Sequence, residues 1–171
     1  MEFWQVLTKR HSTRAFADKP IEEEKIQKIL QAANSAPSAG NLQGYEIFLV
    51  EDKDTKDKLV EAARGQDFIA QAPVVLIFVA NPQRSGERYG GRGENLYSIQ
   101  DATIACIFAW LAAVDLGLSA CWVGAFEGEE VINILGADPT LKPIAILPIG
   151  YPAETPTPHS RRKLEELVHK V

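Results

Sequence analysis

Five consecutive residues, Arg10-His11-Ser12-Thr13-Arg14, place two guanidinium groups, an imidazole and two hydroxyls directly after a segment with helical spacing. Guanidinium forks match phosphate oxygens bidentately and hydroxyls add short donors, so the pentapeptide is equipped to grip a phosphate. Taken alone, it reads more simply as a solvated basic turn that complements the dipole at a helix end. A second stretch, Ala36-Pro37-Ser38-Ala39-Gly40-Asn41-Leu42-Gln43, has small residues that let backbone approach a flat ligand, and Asn41 offers both a donor and an acceptor. An ordinary helix-to-strand loop has the same composition. In Cys121-Trp122-Val123-Gly124-Ala125-Phe126 a strand ends at a glycine whose bare backbone could present N–H groups. Strands also end at glycine where no ligand binds. Arg161-Arg162, after a proline-rich tail, adds a basic pair of a kind usually left in solvent.

Other chemistries lack a handle. No glycine opens a GxxxxGK[ST] loop, and GGRG at 90–93 lacks the third glycine of a dinucleotide fingerprint. His11, His159 and His169 show no HExxH spacing, and Ser119 lacks the glycines of a nucleophile elbow. The two cysteines, Cys106 and Cys121, form no CxxC pair and read as small core residues; no metal set is expected. With 18 Lys+Arg against 23 Asp+Glu, the formal charge of -5 has the wrong sign for holding nucleic acid or an acidic membrane by bulk electrostatics. An anionic ligand must therefore be caught by a local basic cluster.

The elements that must position these groups follow from periodicity. At 171 residues and 46% hydrophobic composition, the chain suits a single domain, 1–171. Phe3, Val6 and Leu7 mark one amphipathic helix, and Ile26, Ile29, Leu30 and Ala33 a second that should end near Asn34, ahead of Pro37. Residues 45–50 read as a strand, 55–63 as a short helix, and the apolar run 74–79 as a central strand covered on both faces. Residues 81–95, rich in glycine and arginine, read as a polar loop, mobile or folded over something, with Tyr89 and Arg92 as candidate contacts. Residues 98–116 form a helix apolar on almost every side and closed by Gly117, more than a small domain can enclose; part of its surface should meet a second subunit. Strands at 120–123 and 144–149 flank a short helix at 129–135, and the tail 151–159 should lie extended, followed by a short helix at 161–169. No targeting segment is visible, and the apolar stretch 102–114 is too short to span a bilayer, so a cytoplasmic, reducing location is expected.

In order and spacing, these blocks together resemble the nitroreductase family of flavin mononucleotide (FMN)-dependent oxidoreductases. The likeness runs from RHSTRAF through KILQAANSAPSAGNLQGYEIFLV, Arg64-Gly65-Gln66 before IAQAPVVLIF, RYGGRGENLYSIQDATIA and LAAVDLGLSACWVGAF to LPIGYPAETPTPHSRR. It implies an α+β fold with a mixed central sheet wrapped by helices in an intertwined homodimer, FMN lying at the subunit interface. By resemblance, Arg10, Ser12 and Arg14 hold the phosphate and ribityl end with help from His11, and Arg161 or Arg162 closes on the same phosphate. Pro37, Ser38, Ala39 and Asn41 come from the other subunit, Gln66 meets the pyrimidine edge, and the backbone N–H groups of Val123 and Gly124 approach flavin N5. No side chain is required as catalytic acid or base. The implied reaction is ping-pong transfer from NADH or NADPH to a nitroaromatic, quinone or related small acceptor. A non-catalytic flavin-binding protein, or a dehalogenase or dehydrogenase of the same fold, stays open as an alternative. Gly44 stands where many relatives have proline, and the chain has no room for a large helical excursion over the flavin, a part the loop 84–93 could take as a lid.

Overall fold

The computed structural model describes residues 1–157 and 160–171; Pro158 and His159, part of the expected extended tail, lie outside the described residues. Four strands, β1 (Tyr45–Val50), β2 (Val74–Ala80), β3 (Ser119–Ala120) and β4 (Lys142–Gly150), form one sheet in the order β1-β2-β4-β3. All three pairings are antiparallel, and the mixed character expected of the sheet enters only through an isolated parallel bridge between Ser12 and Ala120. The helices are α1 (Phe3–Lys9), α2 (Glu23–Asn34), α3 (Lys53–Ala62), α4 (Phe68–Gln71), α5 (Pro82–Arg92), α6 (Ser98–Asp115) and α7 (Gly128–Leu135).

Strand β2 is buried at every position, as its unbroken apolar run requires. Because side chains alternate along a strand, Val74, Leu76, Phe78 and Ala80 enter a core shared with α2 and α6, whereas Val75, Ile77 and Val79 enter one shared with α3, α4 and α7. Leu76, Ile77 and Phe78 are each essentially inaccessible to solvent, contributing about 1.5–3 kcal/mol apiece by burial. Helix α6 lies across the first of these cores and ends as expected: Gly117, at φ 80°, lets Leu118 N–H return to the Ala113 carbonyl at 2.9 Å. The outward side of α6 is not covered by its own chain; Ile107 and Phe108 are exposed, as are Phe3 and Trp4 of α1.

The segment expected as a polar loop is instead helix α5. Asn81 caps it, its side chain accepting from Arg84 N–H at 3.0 Å, with Pro82 in the first turn. The helix breaks at Gly90 (φ 55°, ψ -147°), and a π-helical turn over Gly93–Tyr97 joins it to α6. Two of the glycines that suggested a loop mark close packing, for a Cβ on Gly93 would fall on the Ser85 carbonyl and one on Gly86 would meet the Glu94 side chain, while Gly90 supplies the positive φ of the break. As one helical run, Pro82–Asp115 is long and apolar enough to cross a bilayer, which the stretch 102–114 alone did not suggest. Its apolar part is the helix packed on the sheet, with Ala102, Ala105, Cys106, Ala109 and Ala113 fully buried.

Candidate functional site

Helix α1 stops at Arg10, which returns its N–H to Val6 but leaves the helix extended (φ -65°, ψ 112°). The chain then runs beside β3, Thr13 N–H donating to the Ala120 carbonyl at 3.1 Å. Extended geometry alternates the side chains, so Thr13 is buried while Ser12 and Arg14 face outward. Further on, Ala17 N–H bonds the Tyr151 carbonyl at 2.8 Å and Ala153 N–H bonds the Ala15 carbonyl at 2.9 Å, lacing the N-terminal segment to the chain that follows β4. Residues from the two ends of the sequence meet in this way. Arg10, His11, Ser12 and Arg14, with Glu154, Thr155, Thr157 and Arg161, line one cavity of about 610 Å³.

The cavity is electropositive on a chain of net negative charge. Burial first, and then the Arg161 guanidinium, pull Arg10 below the ordinary arginine value. The Glu154 carboxylate accepts from the Arg14 backbone N–H at 2.6 Å, and no ion pair among the described residues engages Arg10, Arg14 or Arg161. Of the two candidate C-terminal arginines, Arg161 lines the cavity; Arg162 turns to Glu166, its guanidinium donating to the backbone carbonyl at 2.8 Å and pairing with the carboxylate at 3.4 Å. Guanidinium groups without carboxylate partners, alongside hydroxyls, form a donor set that fits a phosphate monoester. The FMN phosphate therefore suits these residues. Cys121, beneath them, is buried; burial pushes its thiol up against the opposing influence of Arg14 and Ser12, so it is not an activated nucleophile.

Pro37, Ser38 and Ala39 line a different cavity, of about 560 Å³, together with Tyr97, Asp101 and Ile104, and it shares no lining residue with the basic one. Asp101, 2% exposed on α6, fixes this loop by accepting from Ala39 N–H at 2.9 Å and Gly44 N–H at 3.3 Å. Gly44 is needed there because a Cβ would fall on the Ser85 hydroxyl. Asn41 is exposed, and its side-chain oxygen accepts from the Gln43 amide at 2.6 Å. Arg84 and Arg88 of α5 donate to the Leu42 carbonyl at 2.5 Å and the Gly40 carbonyl at 3.2 Å, so α5 buttresses the loop and is not a free lid. Tyr89 packs edge-on against Tyr97, and Arg92 donates to the Tyr97 hydroxyl at 2.8 Å.

Gln66 lies elsewhere, beside the residue that follows Gly124: its amide donates to the Ala125 carbonyl at 3.2 Å and to the Ala63 carbonyl at 3.0 Å. Val123 departs from its expected part: its N–H donates to the Ile146 carbonyl at 2.9 Å and its carbonyl accepts from Ile146 at 3.0 Å. Both backbone groups are thus committed to the sheet, and the N–H at the exposed strand end is that of Gly124. Sequence reasoning missed Glu154, Thr155 and Thr157 in the basic cavity, Asp101 behind the loop and Trp110 beneath Arg10. The acid Asp101 in the first turn of an otherwise apolar helix was the available signal for one of them.

An α+β fold that brings Arg10, Ser12 and Arg14 together with Arg161, from distant parts of the sequence, builds a basic cavity of about 610 Å³ with room for an anionic organic ligand. Comparison with known proteins makes the class specific. The nitroreductase family profile matches residues 7–66 and 62–151, and the chain belongs to that family. The FMN reductase (NAD(P)H) of Bacillus subtilis is 34% identical over 177 positions, covering 96% of this chain and 71% of that protein. A Thermus thermophilus NADH dehydrogenase is 32% identical, with 94% of this chain and 91% of that one aligned. The solved structure of NfrA2 from B. megaterium is similar with a TM-score of 0.91 at 30% identity, covering 99% of this chain and 74% of that chain.

Proposed function

We propose that the chain is an FMN-dependent oxidoreductase which uses NADH or NADPH to reduce nitroaromatic, quinone or related electrophilic small molecules in a ping-pong cycle. It acts as one domain, 1–171, within a homodimer. The observation that carries this reading is the convergence of Arg10, Ser12, Arg14 and Arg161 on one cavity with no ion pair among the described residues to neutralise them. Relatives named FMN reductase and NADH dehydrogenase support it. The exposed Ile107 and Phe108 on α6 support the dimer, as does the separation of the basic cavity from the one lined by Pro37, Ser38 and Ala39, which a second copy would bring together. Two free, buried cysteines suit a cytoplasmic location.

When bound, FMN supplies the redox chemistry, accepting electrons from reduced nicotinamide and giving them to the acceptor. The protein binds and orients. Arg10, Arg14 and Arg161 neutralise the phosphate, Ser12 adds a hydroxyl donor, and His11 closes the wall of the cavity. Pro37, Ser38, Ala39 and Asn41 of the second copy present small side chains and backbone to the ring and ribityl chain. Gln66, held by the Ala63 and Ala125 carbonyls, would meet the pyrimidine edge, and Gly124 would offer its backbone N–H to the flavin. No side chain is required to transfer a proton in this scheme, and because donor and acceptor would use the same open face in turn, specificity for the acceptor is broad.

The test is anaerobic mixing of the FMN-loaded protein with NADH or NADPH. Rapid bleaching of the flavin absorbance, reversed by adding a quinone, is expected. Stable binding without bleaching would identify a flavin-binding protein that does not turn over.

A further inference from the structure

Trp110, on α6, is 5% exposed, and its indole N–H has no hydrogen-bond partner. A buried tryptophan usually finds a partner for that N–H, so a plain apolar side chain would be the less costly way to fill this space. What an indole offers beyond bulk is the strongest aromatic face for a cation. The Arg10 guanidinium lies over that face, its central carbon 4.8 Å from the ring centroid.

We propose that Trp110 is a positioning residue for phosphate recognition: its ring holds the Arg10 guanidinium aimed into the basic cavity without neutralising it. A carboxylate in the same place would fix Arg10 equally well, but it would repel the incoming phosphate. The ring attracts the cation and leaves its hydrogen-bonding edge available. The groups around Arg10 agree with this division of labour. Arg161 carries the same sign, and Glu154, the acid lining the cavity, is bonded to the Arg14 backbone. Helix α1 by itself is a weak mount for Arg10, since Val6 is its single buried residue. Trp110, in contrast, belongs to the helix that lines the main core.

This inference rests on the FMN reading above, and the experiment separates the two. Flavin-free wild-type protein, Trp110→Leu, Trp110→Phe, Arg10→Ala and the Trp110→Leu/Arg10→Ala double variant are titrated with FMN and with riboflavin, which lacks the phosphate. The readout is the ratio of the two affinities. In wild type FMN should bind far more tightly than riboflavin; equal binding there would refute the phosphate grip itself. Trp110→Leu should reduce the ratio roughly tenfold, leave riboflavin binding unchanged, and have no further effect when Arg10 is already alanine. Trp110→Phe, which keeps a weaker ring face, should reduce it about two- to threefold, and it carries the test should the leucine variant not fold. Equal losses for both ligands would mark Trp110 as mere packing and overturn the inference, as would an unchanged ratio in the phenylalanine variant.

Discussion

Replacing Asp101 by asparagine leaves one acceptor oxygen where two carboxylate oxygens receive the Ala39 N–H at 2.9 Å and the Gly44 N–H at 3.3 Å. The new NH2 group must then point at a backbone donor. A hydrogen bond to a charged group contributes about 1.5–3 kcal/mol, and a buried N–H left without a partner costs a similar amount. Of the two contacts, the 3.3 Å one lies beyond the usual N–H···O range and contributes less. The expected loss is therefore about 3 kcal/mol of unfolding free energy, a fall in Tm of roughly 6–12 °C for a chain of this length. Urea unfolding of the flavin-free protein, followed by circular dichroism, measures it; the loop carrying Pro37, Ser38 and Ala39 should loosen as well, and FMN binding should weaken with it. A loss below about 0.5 kcal/mol, the range of ordinary surface substitutions, would refute the idea that this carboxylate fixes the loop.

Arg14→Ala should weaken FMN roughly ten- to a hundredfold through loss of a charge-assisted hydrogen bond, read by fluorescence titration; undiminished affinity would remove Arg14 from the site. Phe108→Glu places a charge on the uncovered side of α6 and should shift the protein from dimer to monomer in sedimentation at micromolar concentration, whereas an unchanged dimer would place the interface elsewhere. Glu22 is held at about 2 chiefly by the Tyr151 hydroxyl, then by the backbone and Lys25. A carboxyl depressed in the folded state stabilises above its unfolded value of roughly 4.3 and stops doing so as pH falls through the folded one. The urea midpoint of wild type should accordingly decline more steeply than that of Glu22→Gln as pH is lowered from about 5 towards 2, and parallel profiles would contradict this.

Elements whose burial is local were legible from sequence. The strand Tyr45–Val50 came from its aromatic and β-branched residues, and the end of the second helix at Asn34 from apolar spacing and a following proline. Helix α5 was not, because Gly86 serves close packing against the π turn and Gly90 a break in the helix, and both are defined only once the chain is folded. The basic pentapeptide was visible but ambiguous. What gives it meaning is distance in sequence: Arg161 reaches Arg10 only through the lacing of residues 13–17 to 120 and 151–153. The split of Arg161 from Arg162 likewise depends on Glu166, and the commitment of the Val123 backbone on its bridge to Ile146. Both are tertiary facts to which composition is blind.

A crystal structure of the FMN complex tests the central claim most directly. The account predicts the 5′-phosphate inside the cavity of about 610 Å³, bonded by Arg10, Ser12 and Arg14 from one end of the chain and by Arg161 from the other. A phosphate lodged elsewhere, or one that leaves Arg161 in solvent, would contradict it.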